Sequence, residues 1–99
     1  MNSILQSEKE CYVCRKHMNM SAVGGLQKHH IYAGKNRSVS EKHGFWVWLL
    51  PYWHTGSNMA VHCKDGAELD LELKQDCQRK FEETHTREEF LELIGRSYL

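Results

Sequence analysis

The chain has 99 residues, of which 40% are hydrophobic and 10% aromatic, and its 13 basic and 13 acidic residues give a formal charge of zero. This length allows one domain with a small core, and the apolar content excludes an intrinsically disordered chain. No apolar run approaches the roughly 20 residues of a membrane helix, and residues 1–10 show no secretory signal, so the sequence predicts a cytoplasmic protein that does not contact membranes.

The zero net charge hides an uneven distribution along the chain. Residues 1–44 contain seven Lys or Arg against three Glu, a balance of +4, whereas residues 45–99 contain six against ten acids, a balance of −4. Four of the seven histidines also lie in the basic part. Such a basic surface suits a polyanion, but an unevenly charged solvated surface explains the count equally well.

Two segments predict an antiparallel hairpin, with strands at about 27–32 and 45–50. The glycine pair at 24–25 suits a turn before the first strand, and Pro51 ends the second, whose sequence is FWVWLL. Between the strands, residues 33–44 are polar and end in glycine, which predicts a loop with about one helical turn.

Two helices are predicted in the second half, at about 66–83 and 87–94, so the fold class is α+β. A capping residue followed three positions later by glutamate precedes each helix: Asp65 and Glu68, then Thr86 and Glu89. Apolar residues recur at helical spacing, and we assign them to the core: Leu69, Leu73, Cys77 and Phe81 in the first helix, Phe90, Leu93 and Ile94 in the second. Gly95 ends the second helix.

Three tryptophans lie in or just after the second predicted strand: Trp46, Trp48 and Trp53. Exposed tryptophans stack on nucleic-acid bases, but Trp at alternate strand positions more often packs one face of a small sheet onto a helix. We therefore assign them to the core.

Four histidines carry the chemical interest of the chain: His29, His30, His54 and His62. Imidazole is a common ligand of transition metals and a general base near neutral pH. Neighbours on a strand point to opposite faces, but a bulge at a strand end turns one residue round, so both His29 and His30 can face one site. If the two strands pair, all four histidines can converge.

The order of these features resembles the HNH endonucleases, most closely small phage-encoded proteins related to the recombination-enhancing, recombinase-dependent nucleases. The resemblance runs from Cys11 to the terminal GRSYL, and it depends on five features in sequence: His29-His30-Ile31, a basic loop with Lys35 and Arg37, a strand ending in Leu49-Leu50, His54, and Val61-His62. It implies a single HNH-like domain over residues 1–99, with a ββα-metal finger core and an additional C-terminal helix.

The resemblance also implies a function and assigns roles. The protein would be a metal-dependent endonuclease that hydrolyses DNA, with DNA and a recombinase or host protein as partners in the host cytoplasm. His30 matches the general base, His29 and His54 match metal ligands, and His62 is the third ligand. Arg37 would clamp the scissile phosphate, with Lys28 and Lys35 as further DNA contacts.

Coordination by imidazoles favours Zn²⁺, Ni²⁺ or Mn²⁺ over Mg²⁺. One departure from the family pattern supports a different function, a non-catalytic module that binds DNA or a host protein: the asparagine that orients the base in that family falls near Phe45. The spacing from His54 to His62 is also longer than usual, and this departure concerns the set of metal ligands.

Cys11 and Cys14 lie in a short segment that we interpret as a turn, and they have the spacing of half a zinc site. Many HNH proteins supply the other half near the second strand, but here those positions look like Leu50 and Trp53. A second, structural zinc ion would therefore need His17, Cys63 or Cys77. The other interpretation is a pair of buried thiols without metal.

Overall fold

The computed structural model describes all 99 residues, and its only sheet is the predicted antiparallel hairpin. Strand β1 (Gln27–His30) pairs with β2 (Trp46–Leu49), so that Gln27 lies opposite Leu49 and His30 lies opposite Trp46. Both strands are slightly shorter than predicted, and they lie within the predicted ranges.

Five helices surround this hairpin: α1 (Tyr12–Met18), α2 (Arg37–His43), α3 (Pro51–His54), α4 (Ala67–Phe81) and α5 (Arg87–Ile94). A 3₁₀ turn over Gly34–Asn36 leads into α2. The fold is therefore α+β, as predicted, and α4 and α5 lie close to their predicted positions. None of the helices has both the length and the apolar character needed to cross a bilayer.

The first two helices correct the sequence analysis. The Cys11–Cys14 segment was expected to form a turn, but it begins α1, because Val13 and Cys14 bury their side chains in the core. The 33–44 segment forms a 3₁₀ turn and a two-turn helix, α2, where about one helical turn was expected. The Ser40 hydroxyl of α2 is fully buried and donates to the Tyr32 carbonyl at 2.7 Å, which fixes the helix to the end of the hairpin. Packing against the rest of the chain determines both helices.

The start of α4 also differs from the prediction, whereas α5 begins as predicted. Thr86 and Glu89 form the expected capping box. Asp65 does not cap α4, because Gly66 is the N-cap residue and no side chain caps the helix. The chain is too crowded there for another residue, since a Cβ atom on Gly66 would lie 1.8 Å from the Ala60 carbonyl oxygen.

The core contains five of the seven helical positions that the periodicity predicted, while Leu69 and Leu93 are partly buried and pack against it. Fourteen buried residues form one cluster, which includes Leu73, Cys77 and Phe81 of α4 and Phe90 and Ile94 of α5. Val47 and Leu49 join this cluster from β2, and both are fully buried. Short helix α3 lies directly against both strands.

Trp48 is only partly buried and does not join the core as expected, whereas Trp46 is buried but on the same outer face of β2. Val47 and Leu49 face the core, so Trp46 and Trp48 project from the opposite face of β2, outside the core cluster. Trp53 does pack against the core. The outer edge of β2 is covered by the N-terminal segment and not by a helix, since the Ser3 hydroxyl donates to the Trp46 carbonyl at 2.6 Å.

Candidate metal centre

Three histidines meet at the end of the hairpin. His29 comes from β1, His54 is the last residue of α3, and His62 lies in the turns that precede α4. One ring nitrogen from each lies within 4.8 Å of the other two. Ligands at 2.0–2.1 Å around a tetrahedral zinc ion lie about 3.3 Å apart, so small ring rotations bring these nitrogens to one ion. The three residues are therefore close enough to hold a metal ion.

Local structure explains how His54 and His62 meet despite eight positions of separation. Pro51 begins α3 directly after β2, and the His54 amide donates to the Leu50 carbonyl at 3.1 Å. The chain then turns back, so that the Val61 amide donates to the Trp53 carbonyl at 2.9 Å and the His62 amide to the His54 carbonyl at 3.3 Å. These bonds align the two short segments and place the centroids of the His54 and His62 rings 4.8 Å apart.

His29 is the most unusual residue of the group. It is 2% exposed, and neither of its ring nitrogens has a hydrogen-bond partner. Burial, followed by the positive charges that His62 and His54 can carry, lowers the pKa of His29 to about 3. The ring is thus neutral at physiological pH. Native proteins rarely leave buried polar atoms unpaired. The free nitrogen lone pair of the neutral His29 ring is therefore suited to binding a metal ion.

His54 is oriented by a neighbour that the sequence analysis did not identify. Its Nδ1 donates to the Gln27 Oε1 at 2.8 Å, which leaves Nε2 free for an ion. Burial and then the charge of His62 lower the pKa of His54. Strand alternation was the available signal, since Gln27 lies two positions before His29 and shares its face. His62 is exposed, so the group opens to solvent on one side.

His30 lies on the opposite face of the strand from His29. The strand ends at His30, two residues earlier than predicted, the expected bulge is absent, and the residue pairs regularly with Trp46. Its Nε2 lies 3.3 Å from a Glu41 carboxylate oxygen, and it lines an open polar cavity of about 420 Å³ with Glu41, Arg37 and Ser38. Glu41 belongs to α2. A loop was predicted for that segment, so the contact between Glu41 and His30 could not be predicted from local sequence.

Two of the three cations named as DNA contacts lie near His30: Lys28 shares its strand face, and Arg37 lines the same cavity. Lys28 bonds Glu41 at 3.3 Å, whereas Lys35 and Arg37 are exposed and make no ion pair. Six Lys or Arg side chains make no ion pair, and four of them lie in the first 44 residues: Lys9, Lys35, Arg37 and Lys42, against Lys64 and Arg96. Uncompensated positive charge is therefore concentrated in the basic half.

Cys11 and Cys14 do not form a metal site in this structure. Both are buried, and burial and a contact with Cys11 raise the pKa of the Cys14 thiol. The residues expected to complete the site lie elsewhere or bind other groups: His17 pairs with Glu72, Cys63 donates to the Thr55 carbonyl, and Cys77 is buried beside Tyr32. The three-histidine group is the only metal-ligand cluster in the chain.

Comparison with protein families, with curated proteins and with solved structures gives no match for this chain.

Proposed function

We propose that the protein is a metal-dependent endonuclease of the HNH type, which hydrolyses DNA phosphodiester bonds. Its ββα-metal core would consist of β1, β2 and the helices that follow them. The observation that carries this proposal is His29, a buried imidazole with two unpartnered nitrogens, placed within ligand distance of His54 and His62. Buried polar atoms without a partner destabilise a folded core, and a divalent ion would supply a partner for one of these nitrogens.

The bound ion would supply Lewis-acid stabilisation of charge on the scissile phosphate and the leaving oxygen. His30 is the general base that removes a proton from the attacking water. It lies on the opposite face of β1 from His29, so the phosphate would have to bind across the end of this strand to reach both the ion and the base. The Glu41 carboxylate beside Nε2 stabilises the imidazolium that forms, as a carboxylate does in other base–carboxylate pairs. Arg37 lines the same cavity, without any competing ion pair, and binds a phosphate oxygen.

A non-catalytic binding module is the second candidate, and one observation favours it. Phe45, at the position where the family resemblance expects the orienting asparagine, is fully buried among aromatic rings and cannot hold the base. Such a module would keep the scaffold to bind DNA or a host protein.

A cleavage assay separates the two candidates. Plasmid and linear DNA are incubated with the protein and Zn²⁺, Ni²⁺, Mn²⁺ or Mg²⁺, with and without recombinase-coated DNA. We expect cleavage by the native chain, retained metal but no cleavage in His30→Ala, and weakened metal binding in His29→Ala. His85→Ala is the matched control, since that histidine contacts only Phe81 and Thr84. Metal binding without cleavage under every condition would contradict the nuclease and support the binding module.

A further inference from the structure

The face of the hairpin that points away from the core carries a second set of functional groups. In the strand register, Lys28 lies opposite Trp48 and His30 lies opposite Trp46, so these four side chains share one face. We call them the tryptophan face. The two indole rings meet edge to face with centroids 5.4 Å apart.

Cations lie over both indole rings. Lys28 Nζ is 4.1 Å from the centre of the Trp46 ring, and Lys9 Nζ is 4.5 Å from that of Trp48. Trp46 is 7% exposed and closed to ligands, but Trp48 is only partly buried. Because Lys9 is exposed and makes no ion pair, its cation can leave the ring and bind an anion.

A groove runs beside Trp48. Its volume is about 740 Å³, and its walls are residues 2–9, the two tryptophans and Lys80. That volume falls within the ~300–1,000 Å³ of pockets that bind small organic ligands, so a nucleotide fits. Lys9 supplies positive charge without an ion pair, and Glu8 is the only carboxylate on the wall. Lys80 pairs with Glu83 at 3.2 Å, an exposed ion pair that a phosphate can displace.

We propose that this groove binds a single-stranded segment of nucleic acid, with an unpaired base stacked on Trp48 and phosphates bound by Lys9 and Lys80. A base inside a duplex has both faces covered by its neighbours, so only an unpaired base can stack on a side chain. His30 belongs to the tryptophan face, so the bound nucleic-acid strand would run from the groove towards the proposed catalytic site. The inference rests on the proposed nuclease function for this last step, and it makes DNA with a single-stranded region the substrate.

The test is fluorescence anisotropy with a labelled 12-nucleotide oligo-dT and with a duplex of equal length, in EDTA so that no cleavage occurs. For Trp48→Leu we expect single-strand affinity about 5- to 150-fold weaker, the loss of one base–aromatic stack. For Lys9→Gln we expect weaker binding and a salt dependence reduced by about 0.7 in log–log slope, one phosphate contact. Lys64→Gln is the charge-matched control, an exposed cation without an ion pair outside the groove, and it should bind like the native chain.

Circular dichroism and a thermal melt establish that Trp48→Leu is folded. A folded Trp48→Leu with native single-strand affinity overturns the inference, and so does an equal loss of duplex and single-strand binding. Native protein that binds neither DNA also overturns it. If Trp48→Leu loses single-strand binding and the native chain cleaves no DNA, the groove is supported as a binding site. That outcome counts only against the nuclease function.

Discussion

Replacing His29 with leucine should stabilise the metal-free protein while it abolishes metal binding. Leucine has nearly the volume of histidine and no polar atom, so it fills the buried site without the two unpartnered nitrogens. This outcome is unusual, because most substitutions of fully buried residues destabilise a protein.

The magnitude follows from the burial. An unsatisfied buried polar group costs about 1–3 kcal/mol, and imperfect packing of the new side chain costs up to about 1.5 kcal/mol. We therefore expect the free energy of unfolding in EDTA to change by about −0.5 to +3 kcal/mol, a net rise over most of that range. With Zn²⁺ at 100 times its dissociation constant, the native chain gains about 2.7 kcal/mol and the variant gains none. The difference in stability between the two proteins should then shrink to near zero or reverse.

Urea unfolding, followed by tryptophan fluorescence at pH 7.5 in EDTA and in Zn²⁺, measures both quantities. His85→Leu is the control, since it removes an exposed histidine and should respond to Zn²⁺ as the native chain does. A variant that is less stable than the native chain in EDTA by more than 1 kcal/mol would refute the argument from unsatisfied nitrogens. Equal protection of both proteins by Zn²⁺ would refute the assignment of His29 as a ligand.

Three further predictions concern acid, metal content and backbone. The pKa of His29 is about 3 in the folded chain against 6.5 when unfolded, so the unfolded state binds the proton first and metal-free stability falls below pH 6.5. His29 alone should account for about 2 kcal/mol by pH 5, as the difference between native and His29→Leu unfolding curves; identical pH slopes would contradict this. Metal analysis should find one ion per chain, and this number should not change when Cys11 and Cys14 are both replaced by alanine. Two ions per native chain would instead support a structural zinc site at these cysteines. Gly44→Ala should lower stability by at least about 1–2 kcal/mol, because φ is +75° and a Cβ would lie 2.1 Å from a backbone oxygen, while Gly24→Ala, with open space around it, should be nearly neutral in the same melt.

The elements that depend on local signals were predictable. The helical spacing from Leu73 to Phe81 and the capping box of Thr86 and Glu89 place α4 and α5 without any tertiary information. By contrast, Cys14 of α1 and Ser40 of α2 are buried against residues outside their own helices, and no local pattern encodes that packing.

The second strand shows a different limit. Both of its faces are apolar, with Val47 and Leu49 on one side and Trp46 and Trp48 on the other, so alternation separates the faces without saying which one is inward. The larger side chains were assigned to the core, and the smaller ones occupy it.

The candidate site was predictable in composition but only partly in geometry. Its three histidines came from the family resemblance, and the structure brings them close enough to hold a metal ion. Strand alternation places His29 and His30 on opposite sides, which the expected bulge would have prevented. Gln27 and Glu41, which contact these imidazoles, become visible only when the strands and α2 are in place.

The N-terminal segment protects the sheet from other sheets. A two-stranded hairpin has two open edges, and the outward backbone groups of β2 would pair readily with a strand of another molecule. Ser3 occupies the Trp46 carbonyl and the Gln6 side chain accepts the Trp48 amide at 2.8 Å, so side chains take the places that a foreign strand would need. The first six residues thus prevent edge-to-edge pairing between molecules. Removing them would expose the backbone groups of β2 and promote self-association.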